Sequence, residues 1–243
     1  MVRHLILGLL FLLIFPCFAT TTGFYGGVQT GMNIFGDRRS DSSQNPGTGV
    51  ITDLSSRKAI SSKSPFGSIS VGYLGHLHNI GFAPELCLSY ANSSDTISGR
   101  VAQGGGGTLF SDIRANQRLS TQMGIQARLG YIHGEYFFYG LGGVQWQKAS
   151  YTVDLTDIDT GGGTSPVSNT VRKTQYLKGY TLGVGLQKNI TKQWSVGLET
   201  KLSKFPKSTL EYKTPDIASP CTSTFKNSVF SVGMRINYTF SWS

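Results

Sequence analysis

Phe230-Ser231-Val232-Gly233-Met234-Arg235-Ile236-Asn237-Tyr238-Thr239-Phe240-Ser241-Trp242 is the stretch that decides how this chain folds. Its even positions are all apolar, and its odd positions are Ser, Gly, Arg, Asn and Thr. Successive side chains of a strand point to opposite faces, so the segment has one apolar and one polar face. It is long for a strand of a soluble sandwich. A lipid-facing strand of about 10 residues is what the thickness of a bilayer requires.

The same alternation recurs upstream. A first strand points Phe24, Val28, Met32 and Ile34 outward, with Tyr25, Gly27, Gln29, Gly31 and Asn33 inward. A second alternates over 68–73, a third over 80–90, a sixth over 179–187 and a seventh over 194–203. The fourth is expected to direct Leu119, Met123, Ile125, Ala127, Leu129 and Tyr131 outward, against Ser120, Gln122, Gly124, Gln126, Arg128 and Gly130. The fifth, from Phe137 to Gln147, is ambiguous. Val144 and Trp146 favour one parity and Tyr139 and Leu141 the other, so a bulge is conceivable there.

Connections alternate in length. Short turns fall near His76 to Asn79, Ile132 to Glu135 and Lys188 to Gln193. Long polar stretches, read as loops, fill Gly36 to Ser64, Ala91 to Gln117, Ala149 to Gln175 and Lys204 to Thr224. The expected fold is all-β: a transmembrane antiparallel up-and-down barrel of eight strands, with four long extracellular loops and short periplasmic turns.

The first residues agree with export. Arg3 and His4 precede an apolar run from Leu5 to Phe15, broken by Pro16, and Ala19 is a small residue at the cleavage position. Residues 1–19 therefore read as a cleaved signal peptide and 20–243 as one barrel domain. A membrane anchor would need about 20 apolar residues, and a lipoprotein signal through Cys17 would want smaller residues than Phe15 and Pro16 before it. The 243 residues carry 31 glycines, a net charge of +9 and a mean hydropathy of −0.10, an average in which inward polar and outward apolar residues cancel. The basic excess could suggest nucleic acid, which an exported chain rarely meets.

The signal, the eight-segment plan and the Tyr238-Thr239-Phe240 ending resemble the small outer-membrane barrels typified by the transmembrane domain of outer membrane protein A and by the opacity-type surface proteins. Members usually stop at the aromatic residue, whereas Ser241-Trp242-Ser243 follow here. The resemblance implies an outer-membrane location and insertion by the barrel-assembly machinery, and says little of activity.

Motifs for chemistry are weak. Gly104 to Gly107 lacks the Lys-Ser or Lys-Thr of a phosphate loop, and Gly140-Leu141-Gly142-Gly143 reads as barrel glycine. His76 and His78 read as polar turn residues rather than metal ligands. No serine pairs with a histidine as a hydrolase requires, so no enzyme, metal or cofactor is expected.

Four expectations concern particular residues. Inward charges should pair across neighbouring strands, Glu85 with Arg128 and Glu199 with Arg235, and so close the lumen. Arg38, Arg39, Lys63, Arg118, Lys148, Lys173, Lys178, Lys204 and Lys226 should form a basic rim that binds lipopolysaccharide phosphates. Cys87 and Cys221 make a disulfide conceivable in an exported chain. The loops should be the mobile, protease-sensitive part. Two functions remain: a surface, adhesin-like protein, expected to be a monomer, whose loops contact host molecules, or a small-conductance outer-membrane pore.

Overall fold

The computed structural model describes residues 22–44, 51–53, 59–102, 109–159, 167–213 and 220–240; the expected signal peptide lies outside them. Eleven strands form one sheet: β1 (Gly23–Gln44), β2 (Ile51–Asp53), β3 (Ala59–Leu77), β4 (Ile80–Ala102), β5 (Leu109–His133), β6 (Tyr136–Asp159), β7 (Val167–Asn189), β8 (Trp194–Lys204), β9 (Ser208–Lys213), β10 (Pro220–Lys226) and β11 (Ser228–Phe240). Eight of them, β1, β3, β4, β5, β6, β7, β8 and β11, pair antiparallel with their neighbours, and β11 returns to β1. This closed ring is the eight-strand barrel expected from the alternation. Closure leaves no sheet edge within the membrane, where unpaired backbone groups would cost several kcal/mol each.

The outward face carries an apolar belt, including Phe24, Val28, Ile69, Leu86, Ile125, Val184 and Met234, all more than half exposed. Aromatic residues mark one margin of the belt: Tyr73 stacks edge-on against Phe24, and Trp194 and Phe240 flank Tyr238. That margin is the end of the short turns. His78 adopts φ 55° and Gly134 φ 59° in two of them, left-handed conformations that tight hairpins demand.

β5 has 25 residues and β6 24, whereas a spanning strand needs about 9–11. Both strands therefore continue well beyond the belt. This corrects the expected loops: much of each long polar stretch is strand, with β4 and β5 paired as far as Ala102↔Phe110 and β6 and β7 as far as Asp157↔Val167. Above the lipid an outward face is wet, so the polar residues of a strand no longer mark it as a loop. β9 and β10 form a hairpin above β8 and β11, and β10 pairs with the upper part of β1, from Arg38↔Lys226 to Ser43↔Cys221.

Two details of parity differ from the alternation read in the sequence. Leu119 points inward and is buried. A register shift between Leu119 and Gln122 marks a bulge, and across it the inward set of β5 passes from Gln122, Gly124, Gln126 and Arg128 to Leu119 and Gln117. The ambiguous fifth strand, in contrast, keeps one register with β7 from Tyr136 to Asp157. Tyr139 and Leu141 are buried inward while Val144 faces outward, so both of its faces are apolar and no bulge is needed there.

The interior is layered. Near the short turns Tyr25, Leu74, Ala83, Phe137, Tyr139 and Leu141 pack together. Above the belt lies a larger apolar cluster that includes Phe35, Phe66, Leu119, Tyr151, Leu177, Phe205 and Phe225. The buried charges are interleaved with the lower cluster, Arg128 standing in the ladder between Ala83 and Leu141, and Lys188 meets Glu135 at 3.4 Å beside the short turns.

Candidate functional site in the lumen and at the rim

The charged layer is built twice by one device. Tyr25 on β1 lies opposite Gly72 on β3, which lies opposite Glu85 on β4. Tyr139 on β6 lies opposite Gly185 on β7, which lies opposite Glu199 on β8. In each row the glycine has no side chain to obstruct the phenol, which crosses the middle strand to the carboxylate beyond. The Tyr25 hydroxyl donates to Glu85 Oε2 at 2.8 Å, and the Tyr139 hydroxyl donates to Glu199 Oε2 at 3.1 Å. A Cβ on Gly72 would stand 2.5 Å from the Tyr25 hydroxyl oxygen, which explains why glycine is needed at that close approach.

Cations complete both rows. Arg128 Nη2 contacts Glu85 and also donates to the Tyr25 hydroxyl at 2.7 Å. Its guanidinium lies 5.1 Å from the Tyr25 ring centroid and 5.2 Å from that of Tyr139, a stacking that suits a planar, weakly hydrated cation. Arg235 Nη2 lies 2.5 Å from Glu85 Oε2, and its Nη1 lies 3.6 Å from Glu199 Oε2. Lys201 Nζ is 3.2 Å from Glu199 Oε1. The five charges thus alternate in sign as Arg128, Glu85, Arg235, Glu199 and Lys201, all of them buried. Amides add further bonds: Gln126 donates to Glu85, Arg128 donates to Gln187 Oε1 at 3.1 Å, and Arg235 Nε donates to Asn237 Oδ1 at 2.7 Å. Beside the cluster, a cavity of about 10 Å³ lined by Tyr25, Arg128, Gln187 and Asn237 has room for roughly one water.

Both expected charge pairs are therefore in contact, but Arg235 is shared, and its shorter contact is with Glu85 rather than Glu199. Sequence reasoning missed Lys201, Tyr25 and Tyr139. The inward parity of Lys201 was visible in the alternation; the tyrosines required the register, which aligns each with a glycine.

At the rim, Lys63, Arg118, Lys178, Lys204 and Lys226 are exposed, and Lys148 is half-buried between the inward residues Gln147 and Ala149. By ladder position Lys148 faces Tyr176, Lys178 faces Trp146, and Lys204 faces Tyr180, so cations and aromatics interleave on β6, β7 and β8. Arg118 Nε donates to Asn92 Oδ1 at 3.1 Å. Lys173 does not join the outward set: it shares the parity of buried Leu177, and its Nζ donates to the Thr209 carbonyl at 3.1 Å. Arg38 and Arg39 lie on the part of β1 that pairs with β10.

The conceivable disulfide is not formed. Cys87 is a free thiol that donates to the Gly124 carbonyl at 3.5 Å. Through Ser70 it lies level with Gly27 of β1, whereas Cys221 lies opposite Ser43. That separation along β1 amounts to roughly 50 Å at the rise of a strand, far beyond the about 7 Å that a disulfide tolerates between Cα atoms.

The closed ring, its apolar belt and its filled interior agree with the chain's match, over residues 5–240, to the outer membrane protein beta-barrel domain. The chain belongs to that family, and its place is the bacterial outer membrane. Its fold is similar to that of the outer membrane protease OmpT from Escherichia coli, with a TM-score of 0.52 at 11% identity over 91% of this chain and 99% of that one. It is likewise similar to OprG from Pseudomonas aeruginosa, with a TM-score of 0.50 at 12% identity over 91% and 99%. At such identities the likeness is one of fold. No curated protein sequence matches the chain significantly.

Proposed function

We propose that this chain is a closed, non-enzymatic surface barrel, structural or adhesin-like, that inserts as a monomer through the barrel-assembly machinery and displays its long hairpins outside the cell. The carrying observation is the filled lumen. The Glu85 carboxylate is held by guanidinium groups from two sides, and the large apolar cluster lies above it. A pore would need a continuous wet path, and a barrel of this strand number leaves an interior that side chains can fill. The described histidines His76, His78 and His133 lie at the short-turn end, away from the displayed hairpins.

The rim is the lipid-binding part of this reading. Outward cations stand just above the belt on β3, β5, β6, β7 and β8, where lipopolysaccharide phosphates would lie, and charge-assisted bonds to phosphate are about twice as strong as neutral ones. Planar-bilayer recording of the purified chain should give a flat baseline, and steady unit conductance would overturn the closed reading in favour of a small pore. Lys148→Gln, Lys178→Gln and Lys204→Gln together should lower co-purified lipopolysaccharide; unchanged retention would remove the rim from the proposal.

A further inference from the structure

The ring is closed within the belt but not above it. Among the described residues, backbone pairing of β3 with β4 ends at Phe66↔Ala91, and pairing of β7 with β8 ends at Tyr180↔Lys204. The upper part is therefore two leaves: β4, β5, β6 and β7 form one, and β3, β1, β10 and β9 the other.

The two seams between the leaves are unlike. At β3 and β4, Ser62 Oγ and Ser93 Oγ are 2.9 Å apart, and the Ser64 hydroxyl donates to the Asn92 carbonyl at 3.0 Å. Serine has the reach of a single carbon, so these backbones stay close. At β7 and β9 the bridging groups are long: Lys173 Nζ donates to the Thr209 carbonyl, and Gln175 Nε2 donates to Ser208 Oγ. Here Lys173 serves the Thr209 carbonyl in place of a backbone donor, and Gln175 bridges side chain to side chain. β7 from Val167 to Gly179 and β9 from Ser208 to Lys213 each keep one edge without a backbone partner among the described residues.

Such edges are templates for a further strand, and natural proteins blunt them with proline, bulges or charge. Neither edge has a proline or a register shift. The charge is one-sided: Arg172, Lys178 and Lys207 are exposed around the seam, against Glu211. Basic residues repel a second copy of the same edge and attract an acidic one. On the inner side of the same seam, Leu177 and Leu210 are buried in the upper apolar cluster, with Val171 packed against it.

We propose that this seam accepts an extended segment of another protein as an added strand between β7 and β9, in a sequence that alternates apolar with acidic residues. The partner's apolar side chains lie inward beside Leu177 and Leu210. Its carboxylates lie outward toward Arg172 and Lys178. The two edges part to admit it, Lys173 and Gln175 release their bridges, and its backbone takes over the Thr209 carbonyl and the other backbone groups of the two edges, which is the strand-addition mode of peptide recognition. The proposal rests on the surface-protein reading only for the compartment from which the partner comes.

The test uses the full chain in detergent micelles, with a fluorescent decapeptide of alternating valine and glutamate as probe. Saturable binding is expected, with slowed amide exchange confined to Val167–Gly179 and Ser208–Lys213. N-methylating alternate residues of the peptide, in either frame, keeps its charge and should weaken binding about tenfold or more. Arg172→Glu with Lys178→Glu should lose this peptide and gain its valine–lysine counterpart. Absence of binding, binding that survives N-methylation, or protection elsewhere in the barrel would each overturn the proposal. Both ends of the barrel are open to the peptide in micelles, so such a failure would leave the closed lumen and the outward orientation untouched.

Discussion

Arg235 donates to both carboxylate oxygens of Glu85, at 2.5 and 3.1 Å, although β11 and β4 are separated around the ring by β1 and β3. The contact crosses the lumen and ties together strands that share no ladder. Glu85→Gln leaves the buried Arg128 without its carboxylate and Arg235 with only its 3.6 Å contact to Glu199, a loss of about 3–5 kcal/mol for a broken buried pair. The temperature at which the barrel loses its heat-modifiable gel shift should fall, and ion conductance should rise. Arg235→Gln should behave alike, and the double variant should lose less than the sum of the two, because the residues share one interaction. Additive losses would show that the cluster does not act as a unit.

The tyrosine–glycine rows make a steric prediction. Gly72→Ala places a methyl group 2.5 Å from the Tyr25 hydroxyl oxygen and from the Pro84 carbonyl oxygen, so the phenol must leave Glu85. Overpacking of this kind costs about 1–3 kcal/mol. Gly67→Ala meets no atom within 4 Å and should be neutral in the same gel-shift assay. Equal behaviour of the two variants would refute the row as a structural unit.

Asn227 joins the two leaves: its amide donates to the Tyr151 hydroxyl at 2.9 Å, and its Oδ1 accepts from Gln117 Nε2 at 2.7 Å. Asn227→Ala takes one bond from Tyr151 and leaves the buried Gln117 amide without its acceptor beside the upper apolar cluster, at about 1–3 kcal/mol for an unsatisfied buried group. Amide exchange should quicken in β9 and β10 while the belt strands keep their protection. Faster exchange throughout the barrel would show instead that upper and lower parts unfold together.

Trypsin applied to intact cells tests the orientation. Lys192 lies in the short turn between β7 and β8, which should face the periplasm and stay uncut. Arg114 and Arg118 lie within the paired β4–β5 hairpin and should be cut slowly. Rapid cleavage at Lys192 would invert the assignment of inside and outside.

The belt was legible because lipid on one face and a packed lumen on the other enforce alternation, as in the Phe230–Phe240 strand. The same rule fails where its cause is absent. Ala149, Tyr151 and Val153 alternate inward above the lipid, yet their outward neighbours are polar and the stretch reads as a loop. Glu85 and Arg128 could be matched because they lie on adjacent strands at similar depth. The contact of Arg235 with Glu85 could not be foreseen, because it depends on which strands face each other across the lumen. Cys87 and Cys221 looked pairable because sequence carries no measure of height along a barrel that continues so far beyond the membrane.

The bulge beside Leu119 acts like a shift of reading frame. Below it β5 is read with even residues inward and above it with odd ones, so one irregular step lets the strand serve a polar lumen and an apolar cap. Deleting a single residue there would merge the two frames. Leu119 and Gln122 would then stand two residues apart and both face inward, in step with Ala149 and Gln147 on β6, while the mismatch with β4, where Tyr90 to Ser93 already takes three steps against two, would grow. The length of this strand, and not only its composition, is therefore under constraint.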